Sequence, residues 1–232
     1  MFEERPVALR QRVKELATQA SKSGRPSDWF ETLYQESKGD TQQIPWAKLK
    51  PHPYLSEWLE NRAIQGNGKT ALVVGCGLGD DAEALSALGF TVTAFDVAPS
   101  AIAWCQQRFP DSTVTYQVAD LFTLPEAWQR SFDLVVEIRN IQALPLSVRS
   151  EAIKAVATTV APEGQLLLTT RIRMTDEVPD GPPWPLSESE LSQFQQWGLA
   201  DQQRDIFTVS EQPPVTQIRL VLHQQGNDRL SK

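Results

Sequence analysis

An apolar segment that breaks into three alternating glycines constrains the fold of this chain more than any other feature. Residues 71–74 are all apolar, and Gly75, Gly77 and Gly79 follow before two consecutive aspartates. An apolar run of this kind is typical of a buried parallel strand. Glycines directly after it let the backbone turn sharply and approach a ligand closely. The segment therefore predicts a small-molecule site at the end of a strand.

The spacing of a second acid indicates which ligand this is. Another strand-like run, 91–96, ends in Asp96, about 20 residues beyond Gly75, where a nucleotide-binding unit places a carboxylate on the ribose hydroxyls. A dinucleotide fingerprint needs its third glycine at position 80, but an aspartate stands there. The ammonium and sulfonium of S-adenosyl-L-methionine favour carboxylates that would repel a pyrophosphate. The pattern therefore favours S-adenosylmethionine, with Gly75, Gly77, Gly79 and Asp96 as binding residues.

Strand-like and helix-like segments alternate along most of the chain. We predict parallel strands at 71–75, 91–96, 113–118, 132–137 and 164–170, and helices at 80–88, 99–108, 125–130, 147–160 and 187–198. Two further runs, 201–209 and 215–223, are too close for a crossover helix and predict an antiparallel hairpin across 210–214. The predicted fold class is α/β: a Rossmann-like, seven-stranded, mostly parallel sheet with a C-terminal antiparallel hairpin and helices on both faces.

The segment before the glycines has a different composition. We predict helices over 4–23, 27–36 and 54–64 in it, and a proline-rich structured loop over 39–53. The predicted organisation is an N-terminal helical and lid segment at 1–65, packed as one unit with a cofactor-binding domain at 66–224. A flexible tail is expected at 225–232.

Composition and charge limit which partners and which cellular location we expect for this protein. The net charge of −7 disfavours a nucleic-acid partner, and no apolar window reaches the ~20 residues of a membrane span. The N-terminus lacks the basic and apolar parts of a signal peptide, so we predict a cytoplasmic protein. Its two cysteines do not suggest a disulfide framework and are expected to be reduced thiols. No metal site is predicted, and a monomer and a dimer both remain open.

Further cofactor contacts follow from position in the predicted sheet. Asp81 starts a helix, so it is either a helix cap, a ligand of the cofactor ammonium, or both. Asp120 and Leu121 follow the third strand. At this position of the fold an acid usually bonds the adenine amino group and an apolar residue covers the adenine face. Cys76 lies within the glycine turn and is also predicted to be a cofactor-binding residue. Packing of a small side chain explains a cysteine there better than a nucleophilic role.

The methyl acceptor is expected beside the fourth strand, where the strand order of an open α/β sheet reverses. Glu137 to Gln142 should line this crevice, and we place Glu137 and Gln142 beside the methionine moiety. Arg139 and Asn140 are the predicted catalytic and substrate-binding residues, because they can orient a polar or acidic substituent. His52, in the proline-rich loop, is a further candidate for substrate contact.

Three motifs resemble the class I S-adenosylmethionine-dependent methyltransferases, and more narrowly the thiopurine S-methyltransferase-like group. They are Gly75-Cys-Gly-Leu-Gly-Asp-Asp81, Ala143-Leu-Pro145 with Arg149 after it, and Gly181-Pro-Pro-Trp184 before 187–191. The resemblance covers roughly 29–222. It implies that Trp29 and Trp46 close over the cofactor, with core packing as the alternative, and that Trp184 forms an apolar wall for the substrate.

The expected function is methylation of a small molecule, with sulfur as the preferred acceptor atom. Transfer from a sulfonium needs mainly proximity and alignment, so a thiolate acceptor does not require a dedicated base. An O- or N-methyltransferase is the alternative among enzymes, and a non-catalytic S-adenosylmethionine-binding protein is the alternative outside them. An NAD-dependent oxidoreductase ranks below all three. Two features depart from related enzymes: Val73 stands where many carry an acid, and Arg139 with Asn140 matches no fixed motif, which leaves the acceptor open.

Overall fold

The computed structural model describes residues 6–175, 177, 181–209 and 215–226, and it contains one seven-stranded sheet in the order β3-β2-β1-β4-β5-β7-β6. The strands are β1 Thr70–Val74, β2 Thr91–Asp96, β3 Thr115–Val118, β4 Phe132–Ile138, β5 Val160–Arg171, β6 Leu199–Val209 and β7 Val215–Gln224. Strands β1 to β5 are parallel, and β7 pairs antiparallel with both β5 and β6. The predicted fold class is confirmed. The predicted turn 210–214 lies outside the described residues.

Helices connect these strands and precede them. Their bounds are α1 Val7–Lys22, α2 Asp28–Ser37, α3 Pro53–Asn61, α4 Asp80–Ala87, α5 Pro99–Arg108, α6 Arg149–Ala157 and α7 Glu188–Leu191. The prediction of a helix over 125–130 is wrong: only a 3-10 turn, Glu126–Trp128, forms there. The segment is too short to nucleate an α-helix, and Arg130 has a left-handed φ of 52°. The helix predicted over 187–198 is α7 followed by a 3-10 helix, Ser192–Trp197.

Alternating side chains of the central strand separate two hydrophobic cores. In β1, Leu72 and Val74 belong to the core that α6 covers, whereas Ala71 and Val73 belong to the core that α3 and α4 cover. This alternation is the period of a strand that is buried on both faces. Helices therefore cover both faces, as the alternating sequence pattern predicts.

The N-terminal helices form a third cluster. Val13 of α1 and Leu33 of α2 pack with Ala98 and Ala101 at the start of α5. Helices α1 and α2 thus pack against the start of α5, directly after the carboxyl end of β2. The division at residue 65 and the flexible tail stay predictions, and residues 227–232 lie outside the described chain.

The strand order reverses between β1 and β4. From β1 the chain continues to β2 on one side, and from β4 it continues to β5 on the other. Loops that leave the carboxyl ends of these two neighbours diverge and open a crevice. The glycine turn after β1 and the Arg139 loop after β4 both lie at this crevice.

A buried arginine holds the loops on one side of the crevice. The Arg149 side chain is 1% exposed, and its Nη2 donates to the carbonyls of Leu144 at 3.0 Å and Trp184 at 3.1 Å. Its Nη1 lies 3.3 Å from Oε1 of Glu190 in α7. Arg149 therefore ties together the loop after β4, the Gly-Pro-Pro-Trp segment and the last helix.

No helix in the described parts of the chain combines the length and the hydropathy needed to cross a membrane. The same described residues contain no cluster of three or more histidine, cysteine, aspartate or glutamate side chains placed to bind a metal ion.

Replacing Arg149 with methionine is expected to lower the free energy of unfolding by about 3 kcal/mol or more, because Glu190 and two carbonyls lose a buried partner. Urea unfolding at neutral pH measures this. Arg25→Met is the matched control, since the Arg25 side chain is 73% exposed between α1 and α2. Equal loss of stability in both variants would contradict the role given to Arg149.

Candidate functional site

A cavity of about 560 Å³ occupies the crevice at the carboxyl ends of β1 and β4. Its lining comes from the glycine turn, the loop after β4, the segment 45–54 and helix α2, which contains Trp29. The carboxyl ends of β5 and β6 and the start of β7 complete it. The predicted site residues that line it are Trp29, Trp46, His52, Gly75, Cys76, Gly77, Asp81, Asp96, Arg139, Asn140 and Gln142. The structure therefore brings most of the predicted residues to one place.

The glycine turn leaves no room for a side chain at two of its three glycines. Gly75, Gly77 and Gly79 have φ values of 55°, 55° and 89°, in the left-handed region that favours glycine. A Cβ on Gly75 would lie 2.1 Å from Oδ1 of Asn140, and one on Gly79 would lie 2.6 Å from Oη of Tyr116. Both contacts are too short for real atoms. The turn therefore favours glycine at all three positions on conformational grounds, and at Gly75 and Gly79 on steric grounds as well.

Asp96 fixes the shape of this turn. Its Oδ2 accepts the amide of Gly77 at 2.9 Å, and its Oδ1 accepts the amide of Ala98 at 2.9 Å. The residue is 7% exposed, and burial raises the pKa of its carboxyl to about 6 although both amides favour the charged form. Asp96 therefore supports the turn and also faces the cavity with its remaining acceptor capacity.

The two aspartates that begin α4 have different partners. Asp80 makes a two-point ion pair with Arg108, at 2.8 and 2.9 Å. Oδ1 of Asp81 accepts the amide of His52 at 2.7 Å, which ties the proline-rich loop to the start of α4. Burial raises the pKa of Asp81 to about 6. Asp81 is therefore the helix-start carboxyl whose charge no ion pair with arginine balances among the described contacts.

A buried glutamate holds the loop after β4. Oε1 of Glu137 accepts the amides of Asn140 at 2.6 Å and Ile141 at 2.9 Å. The residue is 0% exposed, and burial raises the pKa of its carboxyl to about 7. In turn, Nδ2 of Asn140 donates to the carbonyl of Val74 at 2.7 Å. This network joins the loop after β4 to the strand that precedes the glycine turn.

Arg139 and Gln142 connect the same loop to β5 and β7. Arg139 has a left-handed φ of 68°; its amide donates to the carbonyl of Thr169 at 2.9 Å, and its Nη2 donates to Oε1 of Gln217. Oε1 of Gln142 accepts the amide of Arg171 at 2.7 Å. The side chain of Gln142 is thus engaged with the backbone of β5 while it lines the cavity.

Aromatic side chains cover the cavity on its N-terminal side. The ring centres of Trp29 and Trp46 lie 5.9 Å apart in an edge-to-face arrangement. Nε1 of Trp46 donates to Oη of Tyr34 at 2.8 Å, and a Cβ on Gly77 would lie 3.5 Å from that oxygen. The tryptophans therefore pack together and also line the cavity beside the glycine turn. Their contact with the cofactor stays a prediction.

His52 is neutral in this environment. Burial is the main cause that lowers its pKa to about 3, and the positive charge of Arg139 adds to the effect. Its Nδ1 accepts the amide of Tyr54 at 3.3 Å, so the neutral ring carries its hydrogen on Nε2. Nε2 of His52 is buried and has no hydrogen-bond partner among the described residues, so at neutral pH its N–H is available to a ligand.

Five predicted site residues lie outside the cavity lining: Gly79, Asp120, Leu121, Glu137 and Trp184. Asp120 accepts the amide of Phe122 at 3.0 Å and caps a 3-10 turn, while Leu121 is buried in a hydrophobic core. Trp184 packs near the N-terminal cluster, and the two prolines before it line the cavity instead. Ligand contacts of these five stay predictions.

The sequence analysis did not identify Tyr54, Arg171 and Gln217, which also line the cavity. Arg171 ends strand β5, whose second half is buried, and a charged residue at the carboxyl end of a buried parallel strand was the available signal. Gln217 carried no such signal, because only its pairing with Arg171 across the sheet brings it to the site.

The strand order, the glycine turn after β1 and the acid at the end of β2 define the class I S-adenosylmethionine-dependent methyltransferase fold. A family model described as "Thiopurine S-methyltransferase (TPMT)" matches residues 35–219. The chain belongs to the thiopurine S-methyltransferase family.

Different relatives are named for different methyltransferase activities. A "Ubiquinone biosynthesis O-methyltransferase" of Pseudomonas putida (strain GB-1) is 33% identical over 121 residues, which are 51% of each chain. A "Probable thiol methyltransferase 2" of Arabidopsis thaliana is 28% identical over 159 residues, which are 67% of this chain and 68% of the relative. The chain spans about half the length of the first curated relatives that it matches.

Solved structures share the fold. The N-methyltransferase NodS from Bradyrhizobium japonicum WM9, in complex with S-adenosyl-L-homocysteine, has a TM-score of 0.62 and 20% identity, and the match covers 83% of this chain and 97% of NodS. A Burkholderia thailandensis 1,6-didemethyltoxoflavin-N1-methyltransferase also has a TM-score of 0.62, with 15% identity over 84% of this chain and 85% of the other.

The raised pKa of Glu137 predicts a pH-dependent stability difference. Between about pH 4.5 and 7 the folded state keeps a proton that the unfolded state releases, so wild-type stability falls relative to Glu137→Gln as pH rises. The free energies of unfolding should change relative to each other by about 3 kcal/mol over this range.

Urea unfolding of both proteins at several pH values tests this. The same substitution at the exposed Glu126 controls for loss of a carboxyl. A difference between wild type and Glu137→Gln that is constant from pH 4.5 to 7.5 would show that Glu137 titrates normally.

Proposed function

We propose that this protein transfers a methyl group from S-adenosylmethionine to the sulfur of a small thiol or a related soft nucleophile. Membership of the thiopurine S-methyltransferase family supports the reaction class. The observation that carries the proposal is the glycine turn, anchored by Asp96, at the edge of a partly enclosed cavity.

The residues at the turn suit this cofactor. The nearest atoms to a Cβ on Gly77 are aromatic and lie at 3.5 Å or more, so the backbone is open to a ligand under the aromatic cover. Asp81 and Asp96 supply carboxylates for an ammonium group and for ribose hydroxyls respectively. Such carboxylates oppose a pyrophosphate. The donor set therefore fits S-adenosylmethionine better than a dinucleotide.

When bound, S-adenosylmethionine supplies an electrophilic methyl group on a sulfonium, which leaves as a neutral thioether. The protein's own contribution is then to orient the acceptor and to exclude water. Trp29 and Trp46 cover the cavity on one side, and Asn140 fixes the loop after β4 against the glycine turn. These contacts hold the two halves of the site in one geometry.

The state of His52 supports sulfur as the accepting atom. With a pKa of about 3, the histidine is a poor proton acceptor at neutral pH. A thiol, with an ordinary pKa of about 8.5, ionises more readily than a phenol, with a pKa of about 10, and therefore depends less on a general base. Phenols and amines depend more strongly on one.

Oxygen is the second candidate for the accepting atom. The Pseudomonas putida relative, 33% identical over its matched half, is named an O-methyltransferase, whereas the Arabidopsis relative is named a thiol methyltransferase. A protein that binds S-adenosylmethionine without turnover is the alternative outside enzymes. We further propose a cytoplasmic protein without a nucleic-acid partner, supported by the net charge of −7 and by two unlinked cysteines.

Calorimetric titration and product release together test the proposed function. We expect binding of S-adenosylmethionine but not of NAD, and release of S-adenosylhomocysteine with thiols faster than with matched phenols and amines. Binding without product from any acceptor would favour the non-catalytic alternative, and faster turnover with phenols would move the acceptor to oxygen.

Asp96→Ala is expected to weaken S-adenosylmethionine binding by about 1.5 to 3 kcal/mol, because two ribose hydroxyls and the Gly77 amide lose a shared charged acceptor. Calorimetry measures the change, and circular dichroism confirms that the variant folds. Asp111→Ala, at an exposed aspartate outside the cavity lining, is the control. Unchanged affinity in Asp96→Ala would assign Asp96 a purely structural role.

A further inference from the structure

One ring nitrogen in the cavity lining is a buried donor without an acceptor among the described residues. It is Nε2 of His52, a residue that lines the cavity. The neutral ring carries its hydrogen on this atom, because Nδ1 accepts the amide of Tyr54 at 3.3 Å. A buried N–H that makes no hydrogen bond destabilises a folded protein. A ligand that brings an acceptor to Nε2 removes this penalty.

The backbone around His52 holds the ring in one orientation. Pro51 and Pro53 flank the residue, which has the extended φ of −63° and ψ of 130° that a following proline favours. Its amide donates to Oδ1 of Asp81 at 2.7 Å, and its Nδ1 caps the first turn of α3. Nε2 is therefore a preorganised donor, and such a donor loses less conformational entropy when it binds a ligand than a mobile side chain does.

The ring of His52 lies on the side of the crevice where we expect the methyl acceptor. Its centre is 5.3 Å from that of Tyr54, and Tyr54 is stacked on Phe207 with ring centres 4.0 Å apart. Phe207 lies near the carboxyl end of β6, and the carbonyl of Tyr54 accepts Nη1 of Arg219 in β7 at 2.8 Å. Strands β6 and β7 lie beyond β4 in the sheet, on the opposite side of the strand-order reversal from β2.

The surroundings of Nε2 define the chemistry of the group that it binds. Burial, with the positive charge of Arg139, lowers the pKa of His52 to about 3, so the ring is a neutral donor at neutral pH. A site built around a buried donor strongly rejects an analogue that lacks the acceptor, because the donor is then left unpaired. Tyr54 and the prolines at 182 and 183 add apolar surface to the same lining. The lining therefore suits an apolar body with one accepting oxygen.

We infer that His52 is a substrate-binding residue, and that its Nε2–H selects methyl acceptors that carry a hydrogen-bond-accepting oxygen on an otherwise apolar body. The inference rests on the proposed methyltransferase function and adds a requirement on its substrate. The two ring nitrogens have separate roles: Nδ1 caps α3, and Nε2 binds the substrate. Substitutions can therefore remove one role and keep the other.

Matched pairs of methyl thioethers test the inference without turnover. The 3- and 4-acetyl derivatives of thioanisole carry a carbonyl oxygen, and the 3- and 4-isopropyl derivatives have a similar shape without it. Calorimetry in the presence of S-adenosylhomocysteine gives the ratio of affinities, acetyl over isopropyl, for each ring position. Comparing this ratio between wild type and variants cancels the difference in hydrophobicity between the two ligands.

Two variants separate the donor from the helix cap. His52→Asn removes Nε2–H but keeps a side-chain acceptor near the position of Nδ1, and asparagine is a favoured N-cap residue. His52→Gln places an amide N–H near the position of Nε2. For the ring position that reaches residue 52, we expect the ratio to fall about tenfold in His52→Asn, as for one hydrogen bond to a buried donor, and to be partly kept in His52→Gln.

The outcome that overturns the inference is a ratio that stays at its wild-type value in folded His52→Asn for both ring positions. A purely structural role of His52 predicts this outcome, because misplacement of the loop weakens acetyl and isopropyl ligands alike. His223→Asn is the matched control: it replaces the other histidine of the chain, in β7 beside Glu163, and should keep the wild-type ratio.

NMR of the imidazole N–H groups gives a second readout that needs no variant of His52. The chain has two histidines, so His223→Asn assigns both rings. We expect the Nε2–H signal of His52 to move downfield when an acetyl thioether is added to the S-adenosylhomocysteine complex, and not with its isopropyl partner. The same downfield shift with S-adenosylhomocysteine alone would assign Nε2 to the cofactor and overturn the inference.

These results separate the inference from the proposed function. A ratio that depends on Nε2, in a protein that methylates no thiol, keeps the binding role of His52 and refutes sulfur methylation alone. Methylation of thiols, together with an unchanged ratio in His52→Asn, overturns the role of His52 and leaves the proposed function standing.

Discussion

The contact between Asn140 and the glycine turn is the interaction on which the site depends. The side-chain carboxamide of Asn140 lies where a Cβ on Gly75 would be, and its Nδ2 donates to the backbone carbonyl of Val74. Close approach of this kind is possible only because glycine has no Cβ and adopts the left-handed conformation at no steric cost. The loops after β1 and β4 therefore meet directly at the strand-order reversal. This contact thus fixes the loop after β4 against the glycine turn at the edge of the cavity.

Buried carboxyls maintain this arrangement at some expense of stability. Asp96 and Glu137 each accept two backbone amides from the loops they hold, and burial raises the pKa of both. A raised carboxyl pKa means that ionisation destabilises the folded state as pH increases toward neutrality. Such groups are typical of functional sites, where local geometry matters more than stability. The loops that line the cavity are thus also the loops that contain these buried carboxyls.

Local patterns made the fold and the part of the cavity lining around the glycine turn predictable. Gly75, Gly77 and Asp96 belong to a strand-turn-helix unit whose spacing is set within a few dozen residues, and α5 has the predicted bounds. The part of the cavity lining formed by β5 and β7 was less predictable, because sheet pairing between segments far apart in the chain assembles it. Arg171 and Gln217 meet only through the register of β5 and β7.

Short elements were the other failure of sequence reasoning. The segment 125–130 has helix-forming residues but too few of them. In the Gly-Pro-Pro-Trp segment the two prolines, rather than Trp184, line the cavity. The central claim is that the glycine turn and Asp96 hold S-adenosylmethionine. A crystal structure with S-adenosylhomocysteine tests it most directly. The account predicts the ligand against Gly75 and Gly77, with its ribose hydroxyls on Asp96 and its sulfur facing Asn140. Ligand bound elsewhere, with this crevice empty, would contradict it.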